Sequence, residues 1–335
     1  MVIFRNGGCV GLYQLDCDLW VYAAVSGRDW LDFQNRMAAA QLKAFLRSKI
    51  NVNGSPRVLV CLRQALYIRV MKLKIPFRKS QKSVAVVRLS GLIAAGSRGQ
   101  LNDQALAPML EKAFRKGKPD AVALVLNSPG GSPVQSSLIG ARIRRLAEEH
   151  KVPVLAFVED VAASGGYWLA VTADEIFLDH SSIVGSIGVI SAGFGAPEFL
   201  ARYGIERRVY TAGKSKSTLD PFRAEKPEDV ARMKATLEQV HTAFIDHVTA
   251  RRGDKFSSDE DLFSGEYWVG QKAVELGLAD AIGHLVPVLK ERYGEKVRFR
   301  LYGQKKSLAQ RFGASLFHSA SIMLEEKAAF ARFGL

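Results

Sequence analysis

From residue 84 onward the chain alternates short apolar, β-branched runs with amphipathic stretches, and this rhythm constrains the fold more than any other feature. Ser83–Leu89 is a nearly continuous strand-type run, Leu101–Lys116 has helical spacing, Ala121–Leu126 is a second strand-type run, and Ser136–His150 is amphipathic with Arg142, Arg144 and Arg145 expected outward. Val152–Glu159, Gly165–Thr172, Glu175–Leu178 and the apolar Val184–Ile190 continue the pattern. Runs that are apolar on both faces and separated by helices predict an α/β fold, a mainly parallel sheet covered by helices. Pro227–Arg252 reads as one long helix, with Glu228 and Asp229 in its first turn and Arg251-Arg252-Gly253 at its end, the charge order that suits the helix dipole.

Composition supports a packed core: 48% of the 335 residues are hydrophobic and 24% charged. The three cysteines, Cys9, Cys17 and Cys61, all lie in the first fifth of the chain, which leaves the remainder without a disulfide framework or a Cys-ligated metal. Most of the formal charge of +14 is N-terminal, because residues 1–82 hold 14 Lys/Arg against 4 Asp/Glu. The body lacks a basic face with interleaved aromatics, so nucleic acid is not an expected partner.

Residues 1–82 therefore read as a basic N-terminal extension, expected to be poorly ordered. Its apolar runs are far shorter than the roughly 18 to 20 residues that cross a bilayer, and Asp16 and Asp18 interrupt what would be the apolar stretch of an export signal. Met71 opens a different texture, the basic amphiphilic Lys72-Leu73-Lys74-Ile75-Pro76-Phe77-Arg78-Lys79, and is the expected biological start. Residues 83–302 form the expected main domain. From Gln304 to Leu335 a basic amphipathic tail, with Leu308, Phe312, Leu316 and Ile322–Leu324, suits packing or a partner helix.

Two strand-to-helix junctions carry unusual residues. Asn127-Ser128-Pro129-Gly130-Gly131-Ser132 offers bare backbone N–H groups near a helix N-terminus, either as an ordinary turn or as donors for a developing oxyanion. Asp160-Val161-Ala162-Ala163-Ser164-Gly165-Gly166-Tyr167-Trp168 sets a serine among very small residues, either as a helix N-cap or as a nucleophile on a tight turn. A nucleophilic serine needs a base, and none of His150, His180, His241, His247, His284 and His318 stands beside an Asp in a recognisable motif. His180, after Asp179, comes nearest. The segment Gly213-Lys214-Ser215-Lys216 offers a lysine instead, because a desolvated lysine can be neutral near pH 7. Gly185-Ser186-Ile187-Gly188-Val189 adds a hydroxyl able to orient such an amine, or a simple turn serine.

In this order and spacing, the four segments closely resemble the signal peptide peptidase A family of serine peptidases, in its short, single-domain bacterial form. The likeness runs from about Val84 to Leu301. It implies the fold shared by Clp protease and crotonase, a spiral of ββα units, and a cofactor-free and metal-free Ser-Lys dyad that cleaves hydrophobic, extended peptides such as remnant signal peptides through an acyl-enzyme. By this resemblance Ser164 is the nucleophile, Lys216 the general base with Lys214 as its rival, and Ser186 the residue that holds the lysine. The oxyanion hole would be the amide of Gly130 with Gly131 or Gly165, and Tyr167, Trp168 and Val189 would line the substrate pocket. A single copy of the domain implies a homo-oligomer, with 101–116 and 227–252 as contacts. The absence of an anchor in the sequence given implies a cytoplasmic protein or one peripheral to the inner membrane, the leader Lys72–Lys82 meeting an anionic surface. Two other readings share these residues: a crotonase-type acyl-CoA enzyme using Glu159 and Asp160 as acid and base, and a catalytically inactive peptide-binding scaffold.

Overall fold

The computed structural model describes residues 2–5, 8–15, 19–25, 81–96, 100–213, 215–257, 260–303 and 326–335. Met71, most of the basic leader, Lys214 and residues 304–325 of the tail lie outside these. The chain divides into two units, 1–78 and 79–335. In the first, β1 (Val2–Arg5), β2 (Gly8–Leu15) and β3 (Leu19–Val25) form an antiparallel meander.

The second unit is built on one large sheet. Its elements in chain order are β4 (Ser83–Ser90), α1 (Asp103–Arg115), β5 (Ala121–Ser128), α2 (Pro133–His150), β6 (Val154–Ala163), α3 (Gly165–Ala170), β7 (Glu175–Leu178) and β8 (Ile183–Gly185). There follow α4 (Pro197–Arg202), α5 (Pro227–Arg252), β9 (Tyr267–Val269), α6 (Gly270–Glu275), β10 (Ala281–Ile282), α7 (Leu285–Tyr293) and β11 (Arg298–Tyr302). The strand order is β10-β7-β6-β5-β4-β11, and every pairing is parallel except β8 with β9. The α/β class with a mainly parallel sheet expected from the sequence is present.

The unbroken apolar character of β5 has a simple cause. Val122, Leu124 and Leu126 face the main core with Leu106, Leu110 and Phe114 of α1 and Ile139 and Ile143 of α2, while Ala121, Ala123 and Val125 face a second cluster closed by Leu289 of α7. Helices cover both faces, so alternation disappears. Asn102 caps α1, its side chain accepting from the Ala105 amide at 2.8 Å, and Ser132 followed by Pro133 starts α2. Arg142 departs from the outward orientation expected of it: its guanidinium makes a bidentate contact with Asp103 at 2.6 and 2.8 Å and ties α2 to α1.

Strand β6 positions the site by pairing with two strands in succession along one edge. Leu155–Val158 pair with β7, whereas Val161–Ala163 pair with β8. The strand passes from one partner to the other across Glu159 and Asp160, and Ser164 directly follows its last residue, Ala163. The run Val184–Ile190, continuous in sequence, stops being a strand at Gly185, because Gly185 (φ +101°) and Ser186 (φ +51°) leave the extended region. Beyond it, residues 190–226 form an exposed arm on which Phe194 and Tyr210 are 96% and 92% accessible.

Candidate active site

The loop after β5 is locked before any substrate is considered. The Ile93 amide donates to Gly130 O at 2.8 Å and the Ser132 amide to Ile93 O at 2.7 Å. Gly131 has φ +136°, and a β-carbon there would lie 2.0 Å from Ile93 O, so only glycine fits. Ser128, fully buried, donates its hydroxyl to Gly91 O at 2.7 Å.

Ser164 sits at the N-cap position of α3 without capping it. Its backbone angles are φ +51° and ψ −121°, and its side chain accepts no bond from the first turn. A serine kept in this region without a capping bond is strained, and such strain is found chiefly where function requires it. The N-cap alternative is thereby removed. Small residues surround it for steric reasons: a β-carbon on Gly165 would lie 2.4 Å from Ser136 Oγ, and one on Gly166 2.4 Å from Ser128 O. One on Gly130 would lie 2.9 Å from Ser164 Cβ, so the glycine loop abuts the serine.

The amides differ in availability. The Gly130 N–H, the expected leading oxyanion donor, donates to Ser128 Oγ at 3.2 Å. The amides of Gly131 and Gly165 donate no hydrogen bond among the described residues. They are neighbours, since a β-carbon on Gly165 would stand 3.4 Å from Gly131 N. Two unpartnered N–H groups beside a strained serine can receive one carbonyl oxygen.

The ladder brings Ser186 alongside. Ala163 pairs with Gly185, and the Ser164 amide donates to Gly185 O at 2.8 Å, which leaves the two serines adjacent across neighbouring strands. The Ser186 amide is held by Glu266 O at 2.6 Å. Lys216 is exposed on the arm, and no hydrogen bond joins it to Ser164 or Ser186. Val189 is half-buried on the segment beyond Ser186.

Tyr167 and Trp168 do not line a pocket, contrary to expectation. Tyr167 is fully buried with its hydroxyl donating to Leu278 O at 2.8 Å, and burial holds its phenol well above the usual range. Trp168 is 8% exposed and stacked on Phe244 and on His247, with centroids 5.1 and 4.5 Å away. Both bind α3 to the core. The carboxylates offered for acyl-CoA chemistry are also engaged: Glu159 pairs with Arg88, and Asp160 accepts from Asn127 Nδ2. The histidine reading changes as well, because the His–Asp contact among the described residues joins His284 to Asp179 at 2.8 Å on the surface. The supporting roles of Ile93, Ser128 and Ser136 escape sequence reading; a serine closing an otherwise apolar strand was the only signal for Ser128.

The profile of peptidase family S49 matches residues 147–296, a span that includes Ser164, Ser186 and Lys216. The protein named probable protease SohB of Buchnera aphidicola is 30% identical over 246 residues, which cover 73% of this chain and 71% of SohB. The chain belongs to peptidase family S49. A Brucella melitensis protein named Na(+)/H(+) antiporter NhaA is 48% identical over 278 residues; the match takes in 77% of this chain and spans 38% of the Brucella protein. Among solved structures, a 1510-N membrane-bound stomatin-specific protease is similar at a TM-score of 0.41 and 14% identity, over 68% of this chain and 99% of its own. In this S49 member the serine-bearing junction, the glycine loop and the Ser186 turn converge, and Lys216 lies on the exposed arm.

Proposed function

We propose that this chain is a serine endopeptidase in which Ser164 attacks the peptide carbonyl, the Gly131 and Gly165 amides receive the oxyanion, and Lys216 is the general base oriented by Ser186. The observation that carries this reading is Ser164 itself, strained, uncapped and set against unpartnered amides. The neutral amine of Lys216 takes the Ser164 hydroxyl proton as Oγ bonds to the carbonyl carbon. The tetrahedral intermediate then expels the amine of the leaving peptide, which receives that proton, and an acyl-enzyme ester remains. Water, deprotonated by the same lysine, cleaves the ester and restores Ser164. Hydrophobic, extended peptides such as remnant signal peptides are the substrate class implied by family resemblance.

The exposed arm supports a homo-oligomer. No hydrogen bond joins Lys216 to Ser164 within one chain, and the arm that carries the lysine displays Phe194, Phe199, Tyr203 and Tyr210 to solvent. A neighbouring copy's arm would bury these aromatics and deliver its lysine to Ser164. No described helix is long and apolar enough to cross a membrane; attachment to an anionic membrane surface through the basic stretch 72–82 is tested by vesicle co-sedimentation of the full chain.

The deciding experiment is mass spectrometry after exposure to a fluorophosphonate, which marks an activated serine without knowledge of the substrate. Labelling at Ser164, lost in Ser164→Ala, supports the reading, and unlabelled folded oligomer overturns it. Lys216→Ala should abolish turnover of a hydrophobic peptide, while Lys214→Ala keeps most of it; the reverse would move the base to Lys214. Mixing Ser164→Ala and Lys216→Ala chains should restore activity if the lysine comes from a neighbour, and should restore none if each chain supplies its own.

A further inference from the structure

The last residues of the chain form a hook beneath the nucleophile. The Phe333 amide donates to Phe330 O at 2.9 Å, the Gly334 amide to Ala331 O at 3.1 Å and the Leu335 amide to Phe330 O at 3.3 Å, with Gly334 at φ +77° closing the turn. Phe333, two residues from the end, is only 9% exposed. It packs with Val161, Ala163 and Ile183 in a cluster separate from the main core, and Phe330 lies against that cluster. Its ring meets Tyr267 edge-on, with centroids 5.4 Å apart and planes at 74°.

Each of these contacts is one step from the candidate site. Ala163 immediately precedes Ser164, and Ile183 lies three residues before Ser186. Tyr267 pairs with Gly185, whose carbonyl accepts the Ser164 amide. The end of β6 is held from both sides: Ala162 faces the main core, while Val161 and Ala163, on the alternate face, meet Phe333. Strained backbone persists only where its surroundings over-determine it. Valine and alanine leave a shallow surface here that a C-terminal aromatic ring fills.

We propose that Phe333 is a positioning residue, a C-terminal wedge that fixes the ends of β6 and β8 so that Ser164 keeps its reactive geometry. This rests on the reading of Ser164 as nucleophile. Misplacement of a reacting group by about 1 Å can cost about 100-fold in rate, and truncating a ring two contacts away should cost less, about tenfold. The test is the second-order rate of fluorophosphonate acylation at Ser164, followed by mass spectrometry on the full chain well below its unfolding temperature, together with kcat and KM on one hydrophobic peptide.

Phe333→Ala should lower the acylation rate and kcat about tenfold, an estimate scaled from that geometric sensitivity, and leave KM unchanged. Phe333→Leu, which refills most of the volume, should recover most of the rate, and it serves as the test if the alanine variant does not fold. A merely structural role would lower the unfolding temperature while the acylation rate of folded protein stays at the wild-type value, and that result overturns the proposal. Absence of labelling in the wild type would instead overturn the nucleophile reading, so the two failures are distinguishable.

Discussion

Ser164 and Ser186 leave neighbouring parallel strands with the same φ of +51°, each one residue past the Ala163–Gly185 pair. L-residues with side chains avoid this region and glycine does not, so two serines placed side by side in it are strained. The ladder that carries them also aligns the Ser164 amide on Gly185 O, which makes the position of one serine depend on the other strand.

Replacing either serine with glycine should therefore stabilise the fold while damaging the chemistry. Strain of this kind costs on the order of 1 to 3 kcal/mol, and glycine's greater freedom in the unfolded chain returns part of that. Denaturant titration should show Ser164→Gly more stable than wild type by about 1 kcal/mol, with no fluorophosphonate labelling. A Ser164→Gly chain less stable than wild type would show that the conformation is not strained.

The glycine loop makes the opposite prediction. Gly131→Ala puts a β-carbon 2.0 Å from Ile93 O at φ +136°, a clash with backbone that no side-chain rotation relieves. Overpacking of this type costs typically 1 to 3 kcal/mol, and the shift should also take the Gly131 amide out of line with Ser164. Gly193→Ala, with nothing within 4 Å of its β-carbon, is the control and should stay within about 0.5 kcal/mol of wild type. Equal stability of the two variants, measured by thermal unfolding, would contradict the packing described for the loop.

Much of this was legible in the sequence, for identifiable reasons. β4, β5 and β6 announce themselves because burial on both faces makes their apolar runs continuous, and the glycines around Ser164 are visible because close backbone approach tolerates nothing larger. The errors come where distant segments decide. Tyr167 and Trp168 look like pocket residues beside a nucleophile until α5 and the turn at Leu278 cover them. The competition between Gly130 and Gly131 turns on Ser128 Oγ, a single hydrogen bond that no spacing reveals. Nor does periodicity show that Val184–Ile190 breaks at Ser186, since that break is a matter of backbone angles rather than hydrophobicity.

The reassignment of Tyr167 has its own consequence. If its hydroxyl serves Leu278 O within the core, Tyr167→Phe leaves that buried carbonyl unpaired and costs about 1 to 3 kcal/mol. KM for hydrophobic peptides should not change. A Tyr167→Phe variant with wild-type stability and a raised KM would return the residue to the substrate pocket.

Acid should weaken the fold through His247 before it does so through the carboxylates. Burial against Trp168 and Phe244 depresses the imidazole below its ordinary value of 6.5; the bond to Trp168 O at 3.2 Å opposes this and the Arg251 charge adds to it. The unfolded chain then binds a proton at a higher pH than the folded one, so this contribution to stability is complete above about 6.5 and is lost as pH falls toward the lower folded value. Asp280, where bonds from Arg252 and Lys255 outweigh the opposing effect of burial, has a carboxyl held below its ordinary 3.8, and its contribution is lost only in stronger acid, as pH falls through that folded value. Unfolding temperatures measured between pH 7.5 and 5 should therefore decline in the wild type and decline less in His247→Gln, which keeps a donor for Trp168 O and does not titrate. Equal declines in the two proteins would place the acid sensitivity of this range elsewhere in the chain.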